Sequence, residues 1–416
     1  MAPREVDYLL IGGGLASANC ARWLRESGAD GSVLVVGREP DPPYNRPDCS
    51  KDYLRGEEQR SDAFFRPDPW WSEQDIELLK RTSVTAVDLG ARTATLSDKQ
   101  PIEFGKALFA TGANVRRLDV PGCHLEHVYY LRTLTNSDAI RAGVADVQDV
   151  VMIGGSYIAC EVAASLTAIG KRCTIVMQET ATLERGFGAR VGRHIQTLLE
   201  GAGVTVHGPD ELERLKGADD RVRTVVTSSG LELAADAVVI GAGVTPEVGL
   251  AKRAGLATGE RGGVACSDRL ETIVPGVYAA GDICEYDSPI HGRPMRIEHW
   301  DVAFNHGKTV ALNMLGHDIP HETVPYFFSV LAGIGELEYV GPALQWDQEI
   351  LRGSFDHGSF TNWYLQDQRL VAALTFGRPD DLDTARRLLV AKPILDERQR
   401  AALGSLDADL EEIASR

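Results

Sequence analysis

The stretch Tyr8-Leu9-Leu10-Ile11-Gly12-Gly13-Gly14-Leu15-Ala16-Ser17 decides the fold class of this chain. An apolar run that ends in glycines and leads into an alanine-rich segment predicts a strand, a tight turn and a helix, the unit that receives a dinucleotide pyrophosphate. Gly12 can adopt the turn, Gly14 lets phosphate approach the backbone, and the helix N-terminus offers free N–H groups. Because Ser17 replaces the third glycine of the motif, a plain α/β turn remains the alternative.

A second copy of this pattern favours the dinucleotide interpretation. Val150-Val151-Met152-Ile153-Gly154-Gly155-Ser156-Tyr157-Ile158-Ala159 repeats the strand, the turn and the start of the helix, with Ser156 in place of the middle glycine. Two such turns predict two dinucleotides. The chemistry that needs two is electron transfer from a nicotinamide to a flavin.

Length and charge limit the classes of protein to consider. A chain of 416 residues predicts two or three domains with sizeable cores. Its formal net charge of -17 argues against a nucleic-acid partner, because phosphates would be repelled. No apolar run approaches the roughly 20 residues of a membrane span, and the five-residue polar start Met1-Ala2-Pro3-Arg4-Glu5 leads at once into a core strand. We therefore expect a cytoplasmic protein with no membrane partner.

The cysteines and histidines predict no metal site. None of the 7 cysteines has Cys-x-x-Cys spacing, which argues against a zinc ribbon or a cysteine-ligated iron-sulfur cluster and fits a reducing compartment. His317 and His321 are four residues apart, but Pro320 between them interrupts a helix.

The residues that follow the second strand of each copy are the candidates for binding the two ribose groups. The strand Ser32–Gly37 is followed by Arg38 and Glu39, so Glu39 is the candidate ribose ligand, with a solvated charge pair as the alternative. In the second copy the strand Arg172–Met177 ends without an acid, and Glu179 is the candidate. Arg185 is the first cation after it, so a 2'-phosphate would meet carboxylate first, and NADH is favoured over NADPH.

Later segments complete the predicted architecture. A small meander is expected over 83–96, the strand Lys106–Phe109 runs into Ala110-Thr111-Gly112, and a hairpin is expected over 224–233. The strand at Val277 ends in Gly281-Asp282, which presents a carboxylate at the carboxyl edge of the sheet, where ligands bind in α/β folds. From Val324 the chain becomes aromatic and β-rich, with helical tails that include Asp383–Ala391.

The loop Pro43-Tyr44-Asn45-Arg46-Pro47-Asp48-Cys49-Ser50-Lys51 resembles a pattern of the flavoprotein reductases that serve ferredoxins and rubredoxins in oxygenase systems, and of the related apoptosis-inducing-factor-like proteins. Their pattern is Pro-Tyr-x-Arg-Pro-Pro-Leu-Ser-Lys, and this chain departs from it at Asp48 and Cys49. The resemblance implies that Lys51 lies beside the flavin N5 and O4 and pairs with Glu161. Arg296–Gly307 is expected to start a helix whose N-terminus points at the flavin.

This resemblance also gives the fold class and domains. We expect an α/β fold with two Rossmann-like, glutathione-reductase-like dinucleotide-binding domains and a C-terminal α+β domain. The FAD-binding domain is predicted over 1–116 and 246–318, the NAD-binding domain over 117–245, and an interface-type domain over 319–416. In the C-terminal part, Phe328 matches an aromatic residue that faces the flavin, whereas the usual Ser-Asp pair is replaced by Ser329-Val330.

The motifs and the resemblance together give the candidate site residues, with Lys51 and Glu161 as the catalytic pair. The residues expected at FAD are Gly12, Gly14, Leu15, Ala16, Glu39, Arg46, Lys51, Val84, Ala110, Thr111, Gly112, Arg132, Gly281, Asp282, Glu298, His299, Trp300 and Phe328. The residues expected at the nicotinamide nucleotide are Gly154, Gly155, Ser156, Tyr157, Ile158, Glu161, Glu179 and Gly243.

The resemblance implies an FAD enzyme that takes a hydride from NADH at flavin N5 and passes single electrons to a ferredoxin, a rubredoxin or another small iron-sulfur protein. A monomer or a homodimer is expected. One alternative is an NADH oxidase or a disulfide or peroxide reductase that uses Cys49 as a redox nucleophile. Another is an apoptosis-inducing-factor-like redox sensor. From Ile319 onward 9 Lys and Arg stand against 16 Asp and Glu, so this region offers no broad basic surface to an acidic ferredoxin.

Overall fold

The structure is a computed structural model that describes residues 4–414, and the predicted domain limits at residues 1 and 416 lie outside that range. The described chain divides into two compact units. Unit 1 comprises residues 4–45, 60–114 and 244–323. Unit 2 comprises residues 46–59, 115–243 and 324–414. The three-domain division drawn from the sequence stays a prediction.

The helices of the described residues range from single turns to five turns. They are α1 Leu15–Glu26, α2 Asp52–Arg55, α3 Asp68–Glu73, α4 Leu134–Val144, α5 Tyr157–Ala168, α6 Glu184–Gly201, α7 Gly249–Arg253, α8 Trp300–Met314, α9 Asp381–Ala391, α10 Glu397–Gly404 and α11 Glu411–Ala414.

The strands are mostly short, and the longest lie in the central sheets. They are β1 Arg4–Ile11, β2 Val33–Val36, β3 Ile76–Leu79, β4 Val84–Asp88, β5 Thr93–Leu96, β6 Pro101–Phe109, β7 Ala113–Val115, β8 Val128–Tyr129, β9 Asp149–Ile153, β10 Arg172–Val176, β11 Thr205–His207, β12 Leu212–Ala218, β13 Arg221–Thr227, β14 Glu232–Ala234, β15 Ala237–Ile240, β16 Val244–Pro246, β17 Val264–Cys266, β18 Val277–Ala279, β19 Cys284–Ser288, β20 Arg293–Met295, β21 Tyr326–Leu331, β22 Gly335–Val340, β23 Gln348–Ser354, β24 Ser359–Gln366 and β25 Arg369–Phe376.

Unit 1 is built on a seven-stranded sheet in the order β3-β2-β1-β6-β5-β4, with β18 also paired to β6. Strands β3, β2, β1, β6 and β18 are parallel, whereas β4, β5 and the start of β6 form the predicted antiparallel meander. Leu9 and Leu10 of β1 are fully buried, as expected for parallel strands covered on both faces. The α/β fold class is therefore confirmed for this unit.

Unit 2 contains a second parallel sheet, β11-β10-β9-β15-β8, which carries the second nucleotide turn. The predicted hairpin is present as β13 and β14, in a three-stranded sheet with β12. The C-terminal part is the antiparallel sheet β21-β22-β25-β24-β23, followed by α9, α10 and α11. This confirms the C-terminal α+β domain. No helix among the described residues is both long enough and apolar enough to cross a membrane.

Two element boundaries differ from the sequence prediction. Strand β1 begins at Arg4, inside the segment interpreted as a polar start, because the backbone ladder with β6 continues to Ile102 although the Arg4 side chain is exposed. Helix α8 begins at Trp300 and not at Arg296. The N-cap residue His299 has an extended backbone, with φ of -107° and ψ of 147°, so the segment from Arg296 is not part of the helix.

Two buried histidines lie in the core of unit 1. The rings of His306 and His321 are 4.5 Å apart between centroids and nearly perpendicular, and Tyr286 packs edge-on against both. Burial lowers the pKa of His321 from its ordinary value of 6.5 to about 4. Burial and the neighbouring His321 also hold the pKa of His306 well below its ordinary value. Both rings are therefore neutral near pH 7.

This pair predicts that unit 1 loses stability in acid. Between pH 6.5 and 4 the unfolded chain takes up a proton at His321 that the folded chain does not, so the free energy of unfolding falls as the pH falls through this window. The expected contribution of His321 is roughly 3 kcal/mol. Chemical unfolding curves of the wild type and of His321→Gln, measured from pH 7.5 to 4.5, would show it as a difference that grows with acidity. Parallel curves would contradict the prediction.

Candidate functional site

The turn after β1 has the geometry of a phosphate cradle. Gly12 has a φ of +126°, and a Cβ at this position would lie 2.1 Å from the carbonyl oxygen of Ala110, so glycine is required. A Cβ on Gly14 would meet nothing within 4 Å, which leaves open space in front of α1. No side chain caps this helix, and its first turn carries no acidic residue. These features fit the pyrophosphate of FAD, an anion that a helix N-terminus stabilises.

Three strands of unit 1 end at the same level beside this turn. Ile11 of β1 pairs with Phe109 of β6, and Phe109 pairs with Ala279 of β18. Because parallel strands present their carboxyl ends at one edge, Gly12 and Asp282 lie at the same edge of the sheet although 270 residues separate them in sequence. Asp282 is half-buried, where its carboxylate can meet a ligand.

The turn before Asp282 is held by a residue that sequence reasoning missed. The backbone N–H of Gly281 donates a hydrogen bond of 3.2 Å to Nδ1 of His306 in α8. Because an N–H group can only donate, Nδ1 must be unprotonated, so the neutral ring carries its proton on Nε2. The low pKa of His306 keeps this arrangement. The sequence carried no specific signal for this contact, because α8 also contains the polar residues Asn305, Thr309 and Asn313.

The remaining candidates of unit 1 are held by side-chain contacts. Glu39 follows β2 and accepts a hydrogen bond of 2.6 Å from the hydroxyl of Tyr44, whereas Arg38 is exposed. The indole of Trp300, at the start of α8, donates to Asn45 at 3.1 Å. His299 is the N-cap residue of this helix.

Other predicted FAD contacts are spread more widely over the chain. Thr111 donates a hydrogen bond of 2.6 Å to the carbonyl of Glu247, and Gly112 has a φ of +70°. Glu298 forms an ion pair with Arg296. Val84 begins β4, the last strand in the order of the sheet.

The second nucleotide turn, in unit 2, repeats the first with one tolerated change. Gly154 has a φ of +114°, and a Cβ there would lie 2.6 Å from the carbonyl oxygen of Gly241. A Cβ on Gly155 would lie 2.7 Å from Sδ of Met177. Ser156 has a φ of -84° as the N-cap residue of α5, a conformation open to any residue. Replacement of the middle glycine therefore introduces no backbone strain, and the turn still fits a dinucleotide.

Arg185, the first cation after the candidate ribose ligand Glu179, contacts that residue. Nε of Arg185 lies 2.5 Å from Oε1 of Glu179, and the side chain of Arg185 is 75% exposed while that of Glu179 is 16% exposed. The two residues meet because the segment after β10 turns back and α6 begins at Glu184, one residue before Arg185. A guanidinium therefore lies beside the carboxylate that a 2'-phosphate is expected to meet first, and the preference for NADH over NADPH stays a prediction.

A buried ion pair is the chemically distinctive feature of unit 2. Nζ of Lys51 lies 2.7 Å from Oε2 of Glu161, and the two side chains are only 9% and 4% exposed. Lys51 is the N-cap residue of α2, and Glu161 lies in α5 four residues after Tyr157. A buried charged pair is tolerated only where further hydrogen bonds satisfy the charged groups, and the hydroxyls of Ser50 and Ser329 supply them here.

One aromatic side chain of β21 lies near this pair, and another packs at the start of α5. Nζ of Lys51 lies 5.8 Å from the ring centroid of Phe328, within cation–π range. The ring of Phe327 lies 4.4 Å from that of Tyr157. In the loop before Lys51, Arg46 donates a hydrogen bond of 2.8 Å to the carbonyl of Arg132.

Three candidates of unit 2 remain: Ile158, Gly243 and Cys49. Ile158 is 38% exposed in the first turn of α5, and Gly243 has a φ of +87° with open space around it. Cys49 is buried, with 3% of its surface exposed, and its carbonyl accepts a hydrogen bond from Ser137. Among the described residues, no group of three His, Cys, Asp or Glu side chains is arranged to hold a metal ion.

Comparison with known proteins places this geometry in a family. Residues 6–307 match the family described as pyridine nucleotide-disulphide oxidoreductase, and residues 335–414 match the family described as reductase C-terminal. A ferredoxin–NAD(P)(+) reductase of a Sphingomonas species is 31% identical over 398 residues, which cover 95% of this chain and 95% of that protein.

Two solved structures are similar over nearly the whole chain. The ferredoxin reductase for the CYP199A2 system from Rhodopseudomonas palustris has a TM-score of 0.93 and 31% identity, and covers 98% of this chain and 99% of its own. The reductase chain of a covalent putidaredoxin reductase–putidaredoxin complex has a TM-score of 0.92 and 28% identity, with coverage of 99% and 98%. The chain therefore belongs to the pyridine nucleotide-disulphide oxidoreductases, as an NAD(P)H-dependent flavoprotein oxidoreductase of the ferredoxin reductase kind.

Proposed function

We propose that this protein is a ferredoxin–NAD+ reductase type of enzyme, of EC class 1.18.1, that oxidises NADH and reduces a ferredoxin, a rubredoxin or another small iron-sulfur protein. The observation that carries the proposal is the buried Lys51–Glu161 pair, because Glu161 lies on the same helix as the second nucleotide turn. FAD, when bound, supplies the conversion of one hydride into two single electrons.

The residues of the chain have distinct roles in this proposal. The Gly12–Gly14 turn and Asp282 hold FAD, and Gly154 and Gly155 receive the pyrophosphate of the nicotinamide nucleotide. Lys51 presents an ammonium group to the flavin, as the family resemblance implies, and Glu161 holds that group in place through their ion pair. A fixed positive charge where negative charge develops accelerates hydride transfer without reorganisation of solvent.

The proposed electron acceptor is supported by the relatives. The Sphingomonas relative is named for its action on ferredoxin, and one similar structure is a complex with putidaredoxin. The alternative chemistry at Cys49 has weaker support, because a disulfide or peroxide substrate would have to reach a thiol that is only 3% exposed. The sensor alternative rests on the altered second nucleotide motif at Ser156 and Met177, and of these two changes Ser156 introduces no backbone strain.

Anaerobic titration tests the function directly. NADH is expected to bleach the visible flavin absorbance at lower concentrations than NADPH does. Reoxidation is expected to be fastest with ferredoxins or rubredoxins when these are compared with quinones, peroxide and oxygen. Bleaching without transfer to any iron-sulfur protein would contradict the proposed acceptor, and absence of bleaching would contradict the reductase function as a whole.

Removal of the Lys51 ammonium should slow the reduction of the flavin. In Lys51→Ala we expect the limiting rate with NADH to fall by on the order of 10- to 100-fold, because one preorganised charge is lost, while FAD stays bound. Stopped-flow absorbance measures the rate. Lys216→Ala is the matched control, since Lys216 forms an exposed ion pair with Glu232 and neither residue is a candidate site residue. An unchanged rate in Lys51→Ala would contradict the role of the residue.

Glu179 and Arg185 should set the preference between the two nucleotides. In Glu179→Ala we expect the Kd for NADH to rise about tenfold, since one hydrogen bond to a charged group is lost. The Kd for NADPH should fall, because Arg185 is released toward the 2'-phosphate. Arg185→Ala should leave NADH binding nearly unchanged and should weaken NADPH binding. Equal Kd values in all three proteins would place ribose recognition elsewhere.

A further inference from the structure

We propose that Ser329 is a positioning residue of the catalytic pair. Its hydroxyl fixes the Glu161 carboxylate and thereby determines how well the Lys51 ammonium stabilises negative charge on the flavin. The inference rests on the proposed function and extends it to a strand of the C-terminal sheet.

The two oxygens of Glu161 have different partners. Oε2 lies 2.7 Å from Nζ of Lys51 and accepts a hydrogen bond of 2.5 Å from Oγ of Ser50. Oε1 accepts a hydrogen bond of 2.6 Å from Oγ of Ser329. Ser329 is fully buried and Ser50 is 1% exposed, so bulk water does not replace either donor. The serine on β21 therefore orients Oε1, while the 2.7 Å ion pair with Lys51 is made by Oε2.

The packing of strand β21 against helix α5 brings Ser329 to Glu161. Phe327 packs on Tyr157, and Ser329 donates to Glu161. Alternate residues share one face of a strand, and residues four apart share one face of a helix, so both contacts belong to a single packed face. The segment Phe327-Phe328-Ser329-Val330-Leu331 contains one side-chain donor, Ser329. No neighbour on this segment of the strand can substitute for it.

Loss of the Ser329 hydroxyl has a defined electrostatic consequence. A buried carboxylate oxygen without a donor carries a large desolvation cost, so the carboxylate turns toward its remaining donors, Lys51 and Ser50. The ammonium is then held more tightly by Glu161 and stabilises negative charge on the flavin less well. Both the limiting rate of flavin reduction and the midpoint potential of the flavin should therefore fall, with little change in nucleotide affinity.

The test compares Ser329→Ala with Ser329→Thr, which retains the hydroxyl, and with Ser329→Cys, which retains volume but donates weakly. Ser359→Ala is the control, because Ser359 lies in the same antiparallel sheet and its hydroxyl donates to the carbonyl of Gly377. For each variant that retains FAD, stopped-flow absorbance gives the limiting rate and the Kd for NADH. Reductive titration with dithionite and reference dyes gives the midpoint potential without NADH.

For Ser329→Ala we expect a rate about tenfold lower, a lowered midpoint potential and an unchanged Kd for NADH, with Ser329→Thr and Ser359→Ala close to the wild type. Ser329→Cys should lie between wild type and alanine, and it decides the question if the alanine variant does not fold. A wild-type rate and potential in the alanine or cysteine variant would overturn the inference, even with lowered thermal stability. Failure of NADH to reduce the wild-type flavin would instead overturn the proposed function, while the dithionite potentials would still test Ser329.

Discussion

The buried Lys51–Glu161 ion pair is the interaction on which the arrangement of unit 2 depends. Removing an ammonium and a carboxylate from water costs several kcal/mol per ion unless every charged atom finds a partner. The partners here come from three separate segments: the loop of residues 46–59, helix α5 and strand β21. The contacts of the Glu161 carboxylate therefore join three segments that all belong to the same compact unit.

In unit 1 the comparable constraint is steric. The carbonyl of Ala110 approaches the turn after β1 so closely that only glycine fits at position 12, and the open space in front of Gly14 is left to a ligand. The in-register ends of β1, β6 and β18 then bring Asp282 to the same edge. His306 accepts a hydrogen bond from the N–H of Gly281, so a neutral buried histidine helps to fix the shape of the turn before Asp282.

Part of the candidate site could be predicted from the sequence, namely the turns whose residues are close together along the chain. The contacts between distant elements could not. The turns at Gly12 and Gly154 are local: their sequences encode a strand end, a positive φ and a helix start within ten residues. Ser329, His306 and the contact of Arg185 with Glu179 were not predictable, because each joins residues through packing between elements. Ser156 shows the converse case, since the residue that replaces the middle glycine of the motif has an ordinary φ.

The sequence by itself determined the two glycine turns, the α/β class, the C-terminal antiparallel sheet and the family, because apolar periodicity and glycine spacing act over short distances along the chain. Only the tertiary structure decided which side chains complete the charged pair, which cation meets Glu179 and which histidine supports Asp282. These contacts depend on the direction in which buried side chains leave their helices and strands, and that direction is set by packing between distant segments.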